Sequence, residues 1–225
     1  MSLGRRIELA AKWIYESRNL LVFTGAGIST DSGIPDYRGP NGVWTRKEKG
    51  LSPPNRISYD LVKPNESHYA IVELLKLGKL KWVISQNVDG LHELSGIPPN
   101  KLIELHGNRN YMICLNCGNK MTFKSVGWDK DQWGFGYRTL PVRHGQPNCP
   151  YCNGRIVSTI VNFGDKLPIE QLKKAKSISE ECDVFFIIGS SLSVNPAANL
   201  VKIAKRNEAK LIILNDGKTR YDNIA

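Results

Sequence analysis

The chain has 225 residues, of which 41% are hydrophobic and 23% charged, an ordinary globular composition. This length supports one substantial core with a small appended module, and no run approaches the roughly 18–20 apolar residues of a membrane span. The net charge of +10 favours acidic partners, but the basic residues are scattered and lack an aromatic-basic recognition motif. We therefore expect no membrane contact, and at most weak nucleic-acid or chromatin contact through the basic surface.

Helices and strands alternate through the first half of the chain. Helical spacing over residues 6–18 predicts an amphipathic helix, and the apolar run 19–24, which ends at a glycine, predicts a buried strand. The stretch 39–64 is rich in Gly, Pro, Asn and Ser, which indicates a long irregular loop. A helix at 64–77 and strands at 82–85 and 102–105 complete this half.

The second half begins with a different kind of segment. Residues 108–155 contain paired cysteines and little periodicity, which indicates an inserted module held by metal. Beyond it, the pattern predicts a β-rich run at 156–161, helices at 169–179 and 196–206, and strands at 183–189 and 210–214.

This alternation predicts an α/β fold in which a Rossmann-like parallel sheet is covered by helices on both faces, plus a small zinc-binding module. We assign residues 1–38, 65–107 and 155–225 to a discontinuous Rossmann-like domain, the type of domain that binds dinucleotides. Residues 39–64 would be a cofactor-binding loop, and residues 108–154 the small zinc-binding module.

Four cysteines form two chelating pairs, Cys114-x-x-Cys117 and Cys149-x-x-Cys152. Four thiolates are the ligands of a closed tetrahedral zinc site, which predicts structural zinc. A redox pair is the alternative. Paired cysteines of this kind, with no apolar leader visible at the N-terminus, favour an intracellular protein.

The first strand leads into a glycine turn, Gly25-Ala26-Gly27, of the kind that brings a backbone close to a phosphate. Residue 30 is Thr where the dinucleotide-binding fingerprint has its third glycine, so a plain tight turn is an open alternative. The following Asp36-Tyr37-Arg38 would clamp a ribose and pyrophosphate, or form an ion pair at the base of a loop.

Polar residues also follow the other predicted strands. Gln86, Asn87 and Asp89 come after one strand and His106 after the next, and the carboxyl edge of a parallel sheet is where ligands bind. Turn chemistry, or a purely structural histidine, would explain the same residues. The segments 161–164 and 189–194 are small or extended, and suit either a peptide strand or ordinary loops.

Taken together, these motifs resemble the sirtuin family of NAD-dependent protein deacylases over about residues 7–216. The run 39–45 further resembles the class IV branch. The matching stretches are 25–29, 33–38, 86–89, 106–107, both cysteine pairs, 163–164, and 189–196 except positions 193 and 195.

The resemblance implies that the acyl-lysine oxygen attacks the NAD ribose as nicotinamide leaves, and that His106 then acts as general base on a ribose hydroxyl. His106 and Asn87 would be catalytic. The implied NAD-binding residues are Gly25, Ala26, Gly27, Ser29, Thr30, Asp36, Tyr37, Arg38, Trp44, Gln86, Asn87, Asp89, His106, Gly189, Ser190, Ser191, Val194 and Asn215. The implied residues for the acyl-lysine substrate are Val161, Asn162, Phe163, Gly164 and Ser193.

Two other functions stay open at this point. A protein mono-ADP-ribosyltransferase would use the same pocket with a protein nucleophile, and a non-catalytic NAD- or chromatin-binding module would bind without turnover. We expect a monomer. Sirtuins continue beyond the strand that ends near Asn215 with another strand and helix, so the resemblance also implies weaker NAD binding or lower stability than in a longer relative.

Overall fold

The computed structural model describes residues 1–55 and 57–225, and its main layer is a five-stranded parallel sheet. In spatial order the strands are β3 (Leu102–Glu104), β2 (Leu80–Ser85), β1 (Leu20–Thr24), β7 (Val184–Ile188) and β8 (Lys210–Leu214). All four neighbouring pairs are parallel. The central strand β1 is buried along its whole length. The predicted parallel sheet is confirmed.

Helices cover both faces of this sheet. On one face, α1 (Leu3–Glu16) and α3 (Glu66–Lys76) pack on the even-numbered residues of β1. On the other, α6 (Ile169–Glu181) and α7 (Asn199–Arg206) pack on its odd-numbered residues. Successive side chains of a strand point to opposite faces, so an entirely apolar strand needs this double cover.

The start of α7 differs from the sequence prediction by three residues. Residues 196–198 form turns whose hydrogen bonds span three residues, from Asn199 N–H to Pro196 and from Leu200 N–H to Ala197, both at 3.1 Å. This winding is tighter than that of an α-helix, which therefore begins only at Asn199.

The small module contains a three-stranded antiparallel sheet in the order β5 (Lys120–Thr122), β4 (Tyr111–Cys114) and β6 (Ile156–Ser158). Its own core includes Met112, Phe123 and Trp128. The β-rich run predicted at 156–161 thus lies in this sheet and not in the large one. The small layer extends beyond residue 154, because β6 pairs with β4.

The loop 39–64 is not wholly irregular. It contains the short helix α2 (Val43–Glu48), while α4 (Leu91–Ser95) and α5 (Lys130–Trp133) are short helices elsewhere. Within residues 1–55 and 57–225, no helix is long and apolar enough to cross a bilayer.

Candidate active site

The glycine turn after β1 packs directly against the turn after β7. A Cβ atom at Gly25 would lie 2.7 Å from the Gly189 carbonyl oxygen, and one at Gly27 would lie 2.8 Å from the Gly189 Cα. The Gly27 N–H donates to the Gly189 oxygen at 2.8 Å. Two backbones therefore meet without side chains, where the order of strands reverses around β1, the position at which doubly wound sheets bind ligands.

Polar side chains at the end of β2 join the turns around this crevice. The Asn87 side-chain amide donates to the Gly25 oxygen at 3.0 Å and to the Ser29 hydroxyl at 3.2 Å. Ser29 in turn donates to the Asp89 carboxylate at 2.8 Å. Gln86 donates to the Ser190 hydroxyl at 2.8 Å. The predicted residues from the turns after β1, β2 and β7 thus form one hydrogen-bonded group.

His106 follows β3 and is half-buried at the same edge. Its Nδ1 lies 2.7 Å from the Gln86 carbonyl oxygen, which can only accept, so Nδ1 carries a proton and donates. In the neutral ring Nε2 therefore has a free lone pair. Burial lowers the pKa of His106, and the Gln86 hydrogen bond opposes this shift. The ring is prepared to accept a proton at Nε2.

An aromatic cluster links the loop 39–64 to the segment after β6. Tyr37, Trp44 and Phe163 have ring centroids 5.2 Å (Tyr37–Trp44), 5.1 Å (Trp44–Phe163) and 6.1 Å (Tyr37–Phe163) apart. The Arg38 guanidinium lies over Trp44, 4.2 Å from its centroid. The cluster is open to ligands, because Phe163 remains 69% exposed.

The Asp36 carboxylate accepts from a backbone N–H and is not paired with the Arg38 guanidinium. Both carboxylate oxygens accept from the Gly39 N–H, at 3.2 and 3.1 Å. Burial raises the pKa of Asp36, the Gly39 hydrogen bond opposes this, and Asp216 raises it further. Among the described residues no salt bridge joins Asp36 to Arg38.

The remaining predicted residues lie around the crevice in less constrained places. Val161 N–H donates to the His106 carbonyl at 2.9 Å, which fixes the start of the segment 161–164 beside the catalytic candidate. Asn215 follows β8, the neighbour of β7. The Thr30 hydroxyl is exposed and donates to the Gly27 oxygen of its own turn at 2.9 Å.

The four paired cysteines form a cluster in the small module. Their sulfur atoms all lie within 4.8 Å of one another, with Cys114 and Cys152 at 3.5 Å and Cys117 and Cys149 at 3.6 Å. Four convergent sulfur ligands fit a tetrahedral structural zinc site.

Two histidines that were not predicted lie close to this site. His68 on α3 and His92 on α4 are buried, and His92 lies 2.8 Å from the Thr24 hydroxyl. Asn65 and His68 have the spacing of a helix capping box, which would have indicated a structural role for His68. Nothing in the local sequence indicates that the two rings meet.

Comparison with known proteins agrees with this arrangement. The Sir2 family profile matches residues 25–60 and 55–196. The NAD-dependent protein deacetylase of Thermodesulfovibrio yellowstonii is 39% identical over 243 residues, covering 100% of this chain and 90% of that protein. NAD-dependent protein deacetylase 1 of Pyrobaculum aerophilum is 40% identical over 237 residues, covering 97% and 87%.

A solved structure of Sir2 with a p53 peptide and NAD+ is similar in fold as well. It has a TM-score of 0.74 and 35% identity, and the match covers 97% of this chain and 90% of that one. The family profile, the relatives and the solved structure all span most of the chain, and they show that it belongs to the Sir2 family.

Proposed function

We propose that the chain is an NAD-dependent protein-lysine deacylase that releases nicotinamide and O-acyl-ADP-ribose. The observation that carries this proposal is the state of His106, whose Nδ1 is held by the Gln86 carbonyl while Nε2 keeps a lone pair at the crevice. A base of this kind can take a proton from a ribose hydroxyl. The relatives named above, described as NAD-dependent deacetylases, support the same reaction.

The crevice residues fit NAD through the chemistry of their donors. When bound, NAD supplies a ribose whose bond to nicotinamide can be exchanged for a bond to the acyl oxygen. Asn87 and Asp89 offer amide and carboxylate groups that suit a carboxamide and hydroxyls, and Ser29 ties them together. The Nε2 atom of His106 accepts the proton of a ribose hydroxyl. Asn87, held by two hydrogen bonds, keeps the crevice in shape for that step.

We assign NAD binding to three groups of residues. The backbones of the glycine turns would approach the pyrophosphate, the loop residues would close over the nicotinamide ribose, and the ends of β7 and β8 would hold the adenosine. They are Gly25, Ala26, Gly27, Ser29 and Thr30 for the first group, Asp36, Tyr37, Arg38 and Trp44 for the second, and Gly189, Ser190, Ser191, Val194 and Asn215 for the third, with Gln86 between the β1 and β7 turns.

We assign the acyl-lysine peptide to the space between the segment 161–164 and Ser193. Phe163 presents an exposed ring beside Trp44, so the lysine stem would lie along apolar surface before reaching His106. Residues 161 and 162 lie outside helices and strands and suit main-chain pairing with a peptide. Residues 163 and 164 instead form a turn closed by the Asp165 N–H, which donates to the Asn162 oxygen at 3.0 Å, so the extended form expected for the whole segment is wrong for its second half. Zinc bound by the four cysteines would stabilise the small sheet, whose strand β6 leads into the segment 161–164 of this peptide site.

Several finer assignments complete the proposal. The run Gly39–Thr45, which contains Trp44, supports placement in the class IV branch. We propose a division into a Rossmann-like domain, a cofactor-binding loop and a zinc module, with the boundary of the zinc module moved beyond residue 154 to include β6. We also propose an intracellular monomer whose basic surface makes at most weak contact with nucleic acid or chromatin.

The test is nicotinamide release from NAD with and without an acetyl-lysine peptide. The wild type should release nicotinamide only with the peptide and form O-acetyl-ADP-ribose, and His106→Ala should lose both by about 100- to 10,000-fold, the usual contribution of general base catalysis. His144→Ala is the matched control, because His144 is exposed in the small module. Peptide-independent release with ADP-ribose left on protein would instead establish ADP-ribosyl transfer. Binding of NAD without turnover would identify a binding module.

A further inference from the structure

Two buried histidines lie behind the crevice and take no part in the proposed chemistry. His68 and His92 are 0% and 3% exposed, and their ring centroids are 5.1 Å apart. Each ring has one bonded nitrogen. The other nitrogen, Nε2 of His68 and Nδ1 of His92, is fully buried and has no hydrogen-bond partner among the described residues. Buried polar atoms are rarely left unpaired, so these two atoms require an explanation.

The bonded nitrogen of His92 begins a chain of hydrogen bonds that ends at the crevice. The Thr24 hydroxyl donates to the Ser85 hydroxyl at 3.1 Å, so its contact with His92 Nε2 at 2.8 Å must be one in which the ring donates. Ser85 then accepts from the Asn87 N–H at 3.1 Å. Thr24 and Ser85 are the last residues of β1 and β2. The chain therefore fixes the backbone from which the Asn87 side chain projects.

The hydrogen bonds of His68 give it the complementary arrangement. In the capping box of α3, the Asn65 N–H donates to His68 Nδ1 at 3.3 Å. Because the Asn65 N–H can only donate, we assign the tautomer in which Nδ1 accepts; the Asn65 side-chain oxygen lies 3.0 Å from the same nitrogen and accepts from the Ser67 N–H at 3.0 Å. A ring that accepts at Nδ1 carries its proton on Nε2. His68 thus offers a donor, and His92, protonated on Nε2, offers an acceptor.

The second arm of this network reaches the glycine turn. The Asn65 side-chain amide donates to the Ile28 oxygen at 2.8 Å and to the Ser32 hydroxyl at 3.1 Å. Both acceptors lie in the short 3-10 helix Ala26–Ser32 that follows β1. The same helix carries Ser29, which accepts a hydrogen bond from the Asn87 side chain. The two arms therefore hold Asn87 from both sides, one through its backbone and one through its side chain.

We propose that one water shared by His68 Nε2 and His92 Nδ1 joins the two rings by hydrogen bonds, and that His92 is thereby a positioning residue for Asn87 in the proposed deacylase reaction. Burial lowers the pKa of both rings; His68 further lowers that of His92, to about 3, whereas Asp89 partly opposes the shift of His68. Both rings are therefore neutral near neutral pH, as a donor-acceptor pair requires. The pair acts through geometry, because neither ring belongs to the crevice.

The kinetic test compares His92→Phe with His92→Gln. His92→Phe removes the donor to Thr24, and kcat should fall by about 10- to 100-fold, the effect of displacing a reacting group by up to about 1 Å. His92→Gln keeps an amide donor and should restore most of kcat. The acid limb of the pH profile should keep its midpoint in both variants, because His106 is unchanged.

A packing control separates positioning from simple loss of stability. Ile71 lies in α3, the helix that carries His68. It is also buried, but it packs in the apolar core, and its side chain has no polar atom that could join the hydrogen-bond network. Ile71→Ala should lower Tm at least as much as His92→Phe while retaining kcat at a temperature where both variants are folded. Wild-type kcat in His92→Phe, or an equal loss of kcat in Ile71→Ala, would overturn the positioning role.

A second measurement decides the histidine pair without relying on activity. Long-range proton–nitrogen NMR of the four imidazoles between pH 5 and 8 should show a His92 ring that stays neutral with its proton on Nε2, and a His68 ring that is neutral at pH 8 with its proton on Nε2. The Asn87 amide signal should shift in His92→Phe and return in His92→Gln. A titrating His92, or a proton on its Nδ1, would refute the pair. An enzyme inactive on acyl-lysine would refute the proposed function alone, since these signals would still report the pair and its link to Asn87.

Discussion

Gly107 is the residue at which a single methyl group should disturb His106 most. Its φ is +80°, and a Cβ there would lie 2.0 Å from the Thr159 oxygen and 2.4 Å from the Thr159 carbonyl carbon. Both are backbone atoms and cannot rotate away. His106 is bonded through its own carbonyl to the Val161 N–H at 2.9 Å. Gly107→Ala must therefore separate His106 from the segment that begins the proposed peptide site.

The loss of stability expected in Gly107→Ala is estimated by comparison with Gly127→Ala. Gly127 also has a positive φ, +65°, but a Cβ there would meet nothing within 4 Å. Gly127→Ala, the control, should lose only about 1–2 kcal/mol of unfolding free energy, which is the cost of holding alanine in the left-handed backbone region. Gly107→Ala adds overpacking of about 1–3 kcal/mol. At about 2–4 °C per kcal/mol for a chain of this size, Tm should fall by about 2–8 °C in the control and by about 2–12 °C more in Gly107→Ala.

Calorimetry and the nicotinamide-release assay test this prediction together. At a temperature where both variants are folded, Gly107→Ala should lose kcat by about tenfold or more, because small displacements of a catalytic group are costly. Gly127→Ala should retain the wild-type kcat. Equal Tm values for the two variants, or full activity in Gly107→Ala, would show that the Thr159 contact does not constrain His106.

Three further outcomes follow from the pKa directions and the cysteine cluster. Because burial lowers the pKa of His106, kcat/KM should be lost only as pH falls through a midpoint below the ordinary 6.5, and a higher midpoint would contradict this. His92 has a pKa of about 3 in the folded chain. As pH falls below 6.5, His92 is therefore protonated in the unfolded chain but stays neutral in the folded one, which lowers the free energy of unfolding. Chemical unfolding should show the wild type losing roughly 1.4 kcal/mol per pH unit relative to His92→Gln between pH 6.5 and 3, and parallel curves would refute it. Native mass spectrometry should find one zinc per chain, lost with a drop in Tm in Cys149→Ser but kept in Cys182→Ser; zinc retained by Cys149→Ser would exclude Cys149 as a required ligand.

The zinc cluster and the main sheet could be predicted from the sequence because their signals are local. Two Cys-x-x-Cys pairs bring thiolates into chelating positions, whatever the length of the loop between them. Apolar runs that alternate with amphipathic segments require a sheet covered on both faces. Polar residues directly after such runs, among them Asn87 and His106, meet at one edge because parallel strands end on the same side.

Only the tertiary structure decided which atoms of these residues are free to react. The tautomer of His106 depends on the Gln86 carbonyl, a partner 20 positions away. The pairing of β6 with the small sheet and the meeting of His68 with His92 likewise depend on contacts between distant segments. Periodicity reports how a segment divides between core and solvent, but it carries no information about which distant segment supplies the hydrogen-bond partner.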